Sequence, residues 1–357
     1  MQARPERLVA LDGWRAISAL IVVGWHLQHF SSLAGGLAVL PGLNGTVGVE
    51  LFFGISGFVI GRGLLAERAA TGEISLLGFY IRRAFRIVPP LVLYVAVVEL
   101  LAQFGVLAGA AKGSINALTF SCNLIGSACG GYAGGHIWSL SVEEQFYLII
   151  PLVLALVAAR SKTALTTVLL AYPIFIIALF AAHCTFAASV LSQFITIALG
   201  VACALHEDRL RRIMTAAPGW TILPALAAIF VLRGLHPTAT TDVVQIVLVS
   251  PLVMYVLLAS TFRASVLSKL LASRPLQVLG MASYSVYLWQ QLATYPFRGA
   301  GVGFYVTSLS ACVIAALASY RWIEKPLIGI GARLSARVSS GAFRSPGEAV
   351  AGRAASS

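Results

Sequence analysis

The chain has 357 residues, of which 59% are hydrophobic and only 11% charged, and its mean hydropathy of +0.88 lies far above that of a soluble domain. This excludes a water-soluble two-domain enzyme, a disordered chain, a coiled coil and a disulfide-stapled secreted module, each of which needs more polar surface or more than the five Cys present. A net charge of +12 would suggest nucleic acid in a soluble protein; here it reports membrane topology, and no nucleic-acid partner is expected.

Continuous apolar runs such as 164–183 lack the alternation of an outer-membrane strand. The expected fold is therefore all-α and polytopic, with about ten transmembrane helices. Marked at about 20 residues each, the spans fall near 8–30, 45–65, 88–108, 141–160, 163–182, 187–205, 219–234, 241–261, 276–296 and 302–322. If the N-terminus is cytoplasmic, 21 of the 25 Lys and Arg collect on inner segments. Only Lys112, Arg233 and Arg298 fall on outer loops, and Arg15 lies within the first span. The positive-inside rule then puts both termini in the cytoplasm. The first span carries Asp12, Arg15 and His26, which argues against a cleaved signal peptide.

Charges inside a bilayer are costly and mark candidate sites. On the first span Arg15 and His26 stand eleven residues apart, which on a helix is about 20° in azimuth and about 16 Å along the axis. They share one stripe with Ser18, Val22 and His29. Two readings stand for Arg15: a functional group, or a residue that snorkels or pairs with Asp12 at i, i+3. Both residues on one stripe favour function. The second span opens with Glu50 at its outer end, facing the same compartment as His26, and carries Gly57 and Gly61 at the spacing that lets a neighbouring helix approach.

The following inner loop ends in FYIRRAFRIVPP. Its Arg82, Arg83 and Arg86 are either interfacial anchors on anionic membrane lipids or a phosphate-binding cluster, because guanidinium groups clamp phosphate oxygens bidentately. The fourth span opens with HIWSLSVEEQFYLIIP. Ser141 and Glu144 fit a capping box. Glu143 has no such role, and with Trp138, Gln145 and Tyr147 it sets a carboxylate and hydrogen-bonding aromatics at the outer surface, suited to sugar hydroxyls or to orienting a catalytic His. Cys122 and Cys129 share an outer loop, where a small disulfide is open to them, with Cys184 as a third candidate. There is no CxxC pattern and no metal is expected; no internal repeat is seen, which weakens the alternative of a transporter or flippase.

These segments together resemble the membrane-bound acyltransferase type 3 family. The resemblance runs from about Leu8 to Pro326 through LDGWRAISALIVVGWH, GVELFFGISGFVI, FYIRRAFRIVPP, WSLSVEEQFYLIIP and SYSVYLWQ, with RWIEKP closing. It implies ten helices that O-acylate carbohydrates at or beyond the bacterial inner membrane, an O-acetyltransferase placed there as a multi-pass protein. It implies that His26 is catalytic, with Glu143 serving the acceptor side. Arg15 is implied to be its paired arginine and is expected, with Arg82, Arg83 and Arg86, which are implied to form the family's basic patch, to bind acetyl-CoA or another acyl-CoA. Glu50, Trp138 and Tyr147 are expected to bind substrate. The acceptor would be a carbohydrate or lipid-linked glycan, with glycan-assembly enzymes as partners. Glu50 stands where the family more often has Asp, and Gln290 where it often has His. The expected organisation is a transfer domain over 1–332 without a further catalytic domain, and a disordered basic cytoplasmic tail over 333–357.

Overall fold

The computed structural model describes residues 7–30, 44–107, 113–124, 129, 131–157, 161–234, 239–294 and 302–339. The described residues form helices and no strand, as an apolar chain in lipid requires when every backbone group is satisfied within its own segment. The main helices are α1 (Val9–Phe30), α2 (Gly45–Thr71), α3 (Leu76–Gln103), α4 (Ile137–Leu156), α5 (Lys162–Ala181), α6 (Thr185–Ser192) and α7 (Ile195–Leu205). They are followed by α8 (Glu207–Ala216), α9 (Ile222–Gly234), α10 (Ala239–Phe262), α11 (Arg274–Met281), α12 (Ser283–Thr294), α13 (Val302–Ser319) and α14 (Lys325–Ser339).

By length and composition, α2 to α5 are four helices able to cross a membrane among the described residues. The number rises to six if two bent pairs each form one span, α6 with α7 at 45° and α8 with the segment 219–234 at 104°. A shorter apolar helix covers Ile246–Phe262 within α10.

The bundle closes around α1, which packs against α2, α10, α11 and α12. Its Trp14 sits 4% exposed in the main apolar core beside Leu51, Ile55 and Leu257. Close approach depends on missing side chains. A Cβ on Gly57 of α2 would collide with the Ile197 carbonyl of α7, whereas one on Gly61 would meet Ala204 Cβ at 3.1 Å. Small residues at such crossings let backbones touch, so the GxxxG spacing serves packing here. Gly72 ends α2 in the left-handed region at φ +83° and donates to Arg68 O at 2.8 Å.

Three local readings change. The inner loop that ends in FYIRRAFRIVPP is helical from Leu76, because Ser75 caps the segment by accepting from Gly78 N at 3.3 Å and no proline intervenes before Pro89. The arginines therefore lie on a helix, with Arg82 and Arg86 one turn apart. At the other end of the chain, α14 continues through 333 to Ser339, because Gly331 packs against Phe85 and the buried Ser335 accepts from Arg82. Residues 333–339 are thus packed helix, and 340–357 lie outside the described residues. Arg233, expected on an outer loop, is 8% exposed at the end of α9, where it pairs with Glu50.

Candidate active site

Arg15 reaches from α1 into a cavity of about 190 Å³ that is also lined by Phe53 and Ser56 of α2, Arg83 and Arg86 of α3, Ser139 and Glu143 of α4, and Ser283, Tyr284 and Tyr287 at α12. Arg15 makes the i, i+3 pair with Asp12, for its Nη1 donates to Asp12 Oδ1 at 3.3 Å, and Asp12 also accepts from Arg7 Nε at 2.8 Å. Asp12 orients the guanidinium, and the rest of that group borders the cavity.

The acidic centre of the cavity is Glu143. Its Oε1 accepts from Ser56 of α2 and from Tyr147 one turn along α4. Charge-assisted bonds of this kind fix a carboxylate firmly. Tyr147 is 2% exposed and does not line the cavity; Arg83 stacks its guanidinium carbon 3.9 Å from the centre of the Tyr147 ring. Trp138 packs edge-on against Phe53 with centroids 6.4 Å apart.

A second cavity of about 420 Å³ adjoins the first and shares Val59, Ile60, Arg83 and Arg86 with it. Its wall also contains Glu67, Arg82, and Ile328 and Ala332 of α14. The three arginines differ in their commitments. Arg82 pairs with Glu67 at 3.2 Å and also donates to Ser335. Arg83 lies on Tyr147 with its Nε buried and lacking a hydrogen-bond partner among the described residues. Arg86 borders both cavities. Two cations thus face the junction of the cavities with donors to spare, an arrangement suited to a phosphate-bearing ligand.

His26 is 8% exposed and lies outside the lining of both cavities. Its Nδ1 is 2.9 Å from Val22 O and its Nε2 is 2.8 Å from Gln291 Nε2. Gln291 Oε1 is in turn 2.7 Å from His136 Nδ1 and 3.1 Å from His136 N. Tyr287, on the cavity wall, donates to His136 O at 3.0 Å and meets Ser139 Oγ at 2.6 Å. His26 therefore sits behind the cavity wall, linked to Tyr287 through Gln291 and His136, while Arg15 borders the cavity itself. Ser18 on the α1 stripe is spent on its own helix, donating to Trp14 O at 2.8 Å, and the His29 side chain lies outside the described residues.

Glu50 is drawn away from this group, for it forms a buried ion pair with Arg233, 183 positions along the chain. The capping-box reading of Ser141 and Glu144 also fails. The helix starts a turn earlier, with His136 at its N-cap, and Ser141 inside it donates to Ile137 O at 3.1 Å and accepts from Cys122 N at 3.2 Å. Glu144 keeps a buried Oε1 with no hydrogen-bond partner among the described residues. Cys122 and Cys129 are joined as a disulfide, and Cys184 is free and exposed. Among the described residues no group of three or more His, Cys, Asp or Glu is placed to hold a metal.

The acyltransferase-domain family matches residues 8–320 of the chain. The chain is similar to the O-acetyltransferase OatA of Staphylococcus aureus strain NCTC 8325 / PS 47, at 26% identity over 359 residues that cover 90% of this chain and 57% of the relative. It is equally similar to the O-acetyltransferase OatA of Staphylococcus aureus strain MRSA252, at 26% identity with the same coverage of 90% and 57%. The chain thus spans under two thirds of the length of these relatives. No solved structure matches it. With the helical fold, the arginine-lined cavities and a match over nearly its whole length, the chain belongs to the acyltransferase-domain family.

Proposed function

We propose that this protein is an O-acetyltransferase that moves an acyl group, acetyl by analogy with its relatives, from cytoplasmic acyl-CoA to a carbohydrate hydroxyl beyond the bacterial inner membrane. The observation that carries this reading is the pair of adjoining cavities. One is bordered by Arg82, Arg83 and Arg86; the other runs from Arg83 and Arg86 to Glu143, Ser139 and Tyr287, and the last two connect by hydrogen bonds toward His26. A donor with phosphates at one end and a thioester at the far end of a long arm suits such a path, because the arginines hold the phosphates while the reactive carbon travels inward.

The proposed orientation, about ten spans with both termini in the cytoplasm, is supported by the distribution of Lys and Arg. The Cys122–Cys129 disulfide supports it, since a structural disulfide belongs to an oxidising compartment and this one lies on the segment the charge pattern assigns to the outside. The transfer unit then comprises the helices through α14, followed by a basic cytoplasmic tail.

In the proposed reaction His26 serves the acceptor hydroxyl, either by taking its proton as the oxygen attacks the thioester carbon or by carrying the acyl group itself. Glu143, held by Ser56 and Tyr147, orients the acceptor. The carbon–sulfur bond then breaks and the CoA thiolate leaves, while Arg15, about 16 Å along α1 from His26, borders the path of the donor. The test is a balance of products. Purified protein supplied with acetyl-CoA should release free thiol only when a hydroxylated glycan is present, and that glycan should gain the mass of one acetyl unit. Solute flux without thiol release would mark a transporter instead.

A further inference from the structure

The hydrogen bonds around His26 leave its protons no choice. Val22 O is a carbonyl and can only accept, so the Nδ1 that lies 2.9 Å away carries hydrogen. Nε2 is then the lone-pair nitrogen of the neutral ring, and it needs a donor. The group opposite, 2.8 Å away, is the side-chain amide of Gln291. Which end of that amide faces His26 is ordinarily an open assignment, but here a backbone group settles it. His136 N–H can only donate, and it lies 3.1 Å from Gln291 Oε1. Turning the amide over would set N–H against N–H. The oxygen therefore faces His136, the NH₂ faces His26, and His136 Nδ1, 2.7 Å from the same oxygen, must also be protonated.

We propose that Gln291 is a positioning residue that, with Val22 O holding Nδ1–H on the other side, fixes the His26 ring with its Nε2 lone pair as the reactive nitrogen, and that His136 keeps the Gln291 amide from turning. The tautomer of a histidine is set by what its second nitrogen meets, and here both nitrogens are fixed from outside the ring. All three side chains are buried, at 8%, 5% and 3% exposure for His26, Gln291 and His136, so the arrangement is insulated from bulk water. His136 is itself tied to the cavity wall by Tyr287. This inference deepens the proposed catalytic role of His26 and rests on it for its consequence in turnover. An arriving acceptor hydroxyl takes the place of the Gln291 N–H on Nε2. Its proton passes to Nε2 and its oxygen bonds to the thioester carbon. The CoA thiolate departs, and the imidazolium keeps its Nδ1–H on Val22 O.

The experiment is ¹⁵N spectroscopy of the full-length protein labelled at histidine, with the His26 signals assigned by their loss in His26→Ala. The wild type should show the Nδ1–H pattern with a hydrogen-bonded Nε2, and Gln291→Leu should keep Nδ1–H, which Val22 O still accepts, while its Nε2 signal moves to that of an unbonded lone pair. The variant should also lower kcat for acyl transfer by roughly 100-fold, the loss expected when a reacting group is misplaced by about an ångström, while KM for acyl-CoA stays within about twofold. A wild-type His26 protonated at Nε2, or a Gln291→Leu enzyme with unchanged kcat, overturns the proposal. Full activity of His26→Ala would overturn its catalytic role while leaving the tautomer measurement standing, so the two failures are distinguishable.

Discussion

Ser56 on α2 donates to Glu143 on α4, a bond between residues 87 positions apart that pins the half-buried carboxylate of the cavity to two helices at once. Tyr147 adds a second donor to the same oxygen. Removing the charge while keeping the acceptor separates its chemistry from its packing. Glu143→Gln should keep both donors satisfied through its amide oxygen and unfold in detergent near the wild-type temperature. Its acyl transfer should fall by about 100-fold, within the range for loss of a positioned acid–base group. A melting curve and a thiol-release assay on the same preparation check both halves.

The three arginines of α3 make unequal predictions. Arg82 is already engaged by Glu67 and Ser335, whereas Arg86 borders both cavities. Arg86→Ala should raise KM for acyl-CoA by about 10-fold or more, the loss of one charge-assisted phosphate contact of about 1.5–3 kcal/mol. Arg82→Ala should change KM less than Arg86→Ala does. Steady-state kinetics over a range of acyl-CoA concentrations reads the difference.

Glu50 was expected among the substrate-binding residues, yet it is 5% exposed and paired with Arg233. Removing one partner of a buried ion pair leaves an uncompensated charge and costs about 3–5 kcal/mol. Glu50→Ala should therefore lower the unfolding midpoint strongly, and Glu50→Ala combined with Arg233→Leu should recover much of the loss. Thermal unfolding of the single and double variants in the same detergent tests this. An acceptor-binding role would instead leave stability alone and raise KM for the acceptor.

The crossing of α2 and α7 predicts a contrast between two glycines of one motif. Gly57→Ala drives a methyl group into the backbone of Ile197, while Gly61→Ala comes no closer than 3.1 Å to the Ala204 methyl and 3.3 Å to Val201 Cα. Gly57→Ala should give little folded protein in the membrane fraction, and Gly61→Ala should accumulate near the wild-type level, as read by detergent-resistant yield.

What the chain disclosed beforehand follows from what each residue costs in lipid. Arg15, His26 and Glu143 stood out because a charged or titratable group in an apolar run demands an explanation, and the structure brings Arg15 and Glu143 to one cavity. Gln291, Ser56 and Tyr287 gave no such signal. Uncharged polar residues are common near helix ends, and their importance here arises from partners on other helices, such as His26 at a separation of 265 residues. The Glu50–Arg233 pair was hidden for the same reason, since nothing local links an acid on α2 to a base on α9. Glu144 was hidden by a coincidence of spacing that fits a helix cap when the true start lies a turn earlier, at Ile137.

The most direct test of the account is thiol release from acetyl-CoA by purified His26→Ala beside the wild type, with a hydroxylated glycan acceptor present and the variant shown to be folded by its melting curve. The account predicts that acceptor-dependent release falls by at least about 100-fold, with the variant still folded in the membrane. Release at the wild-type rate would contradict it.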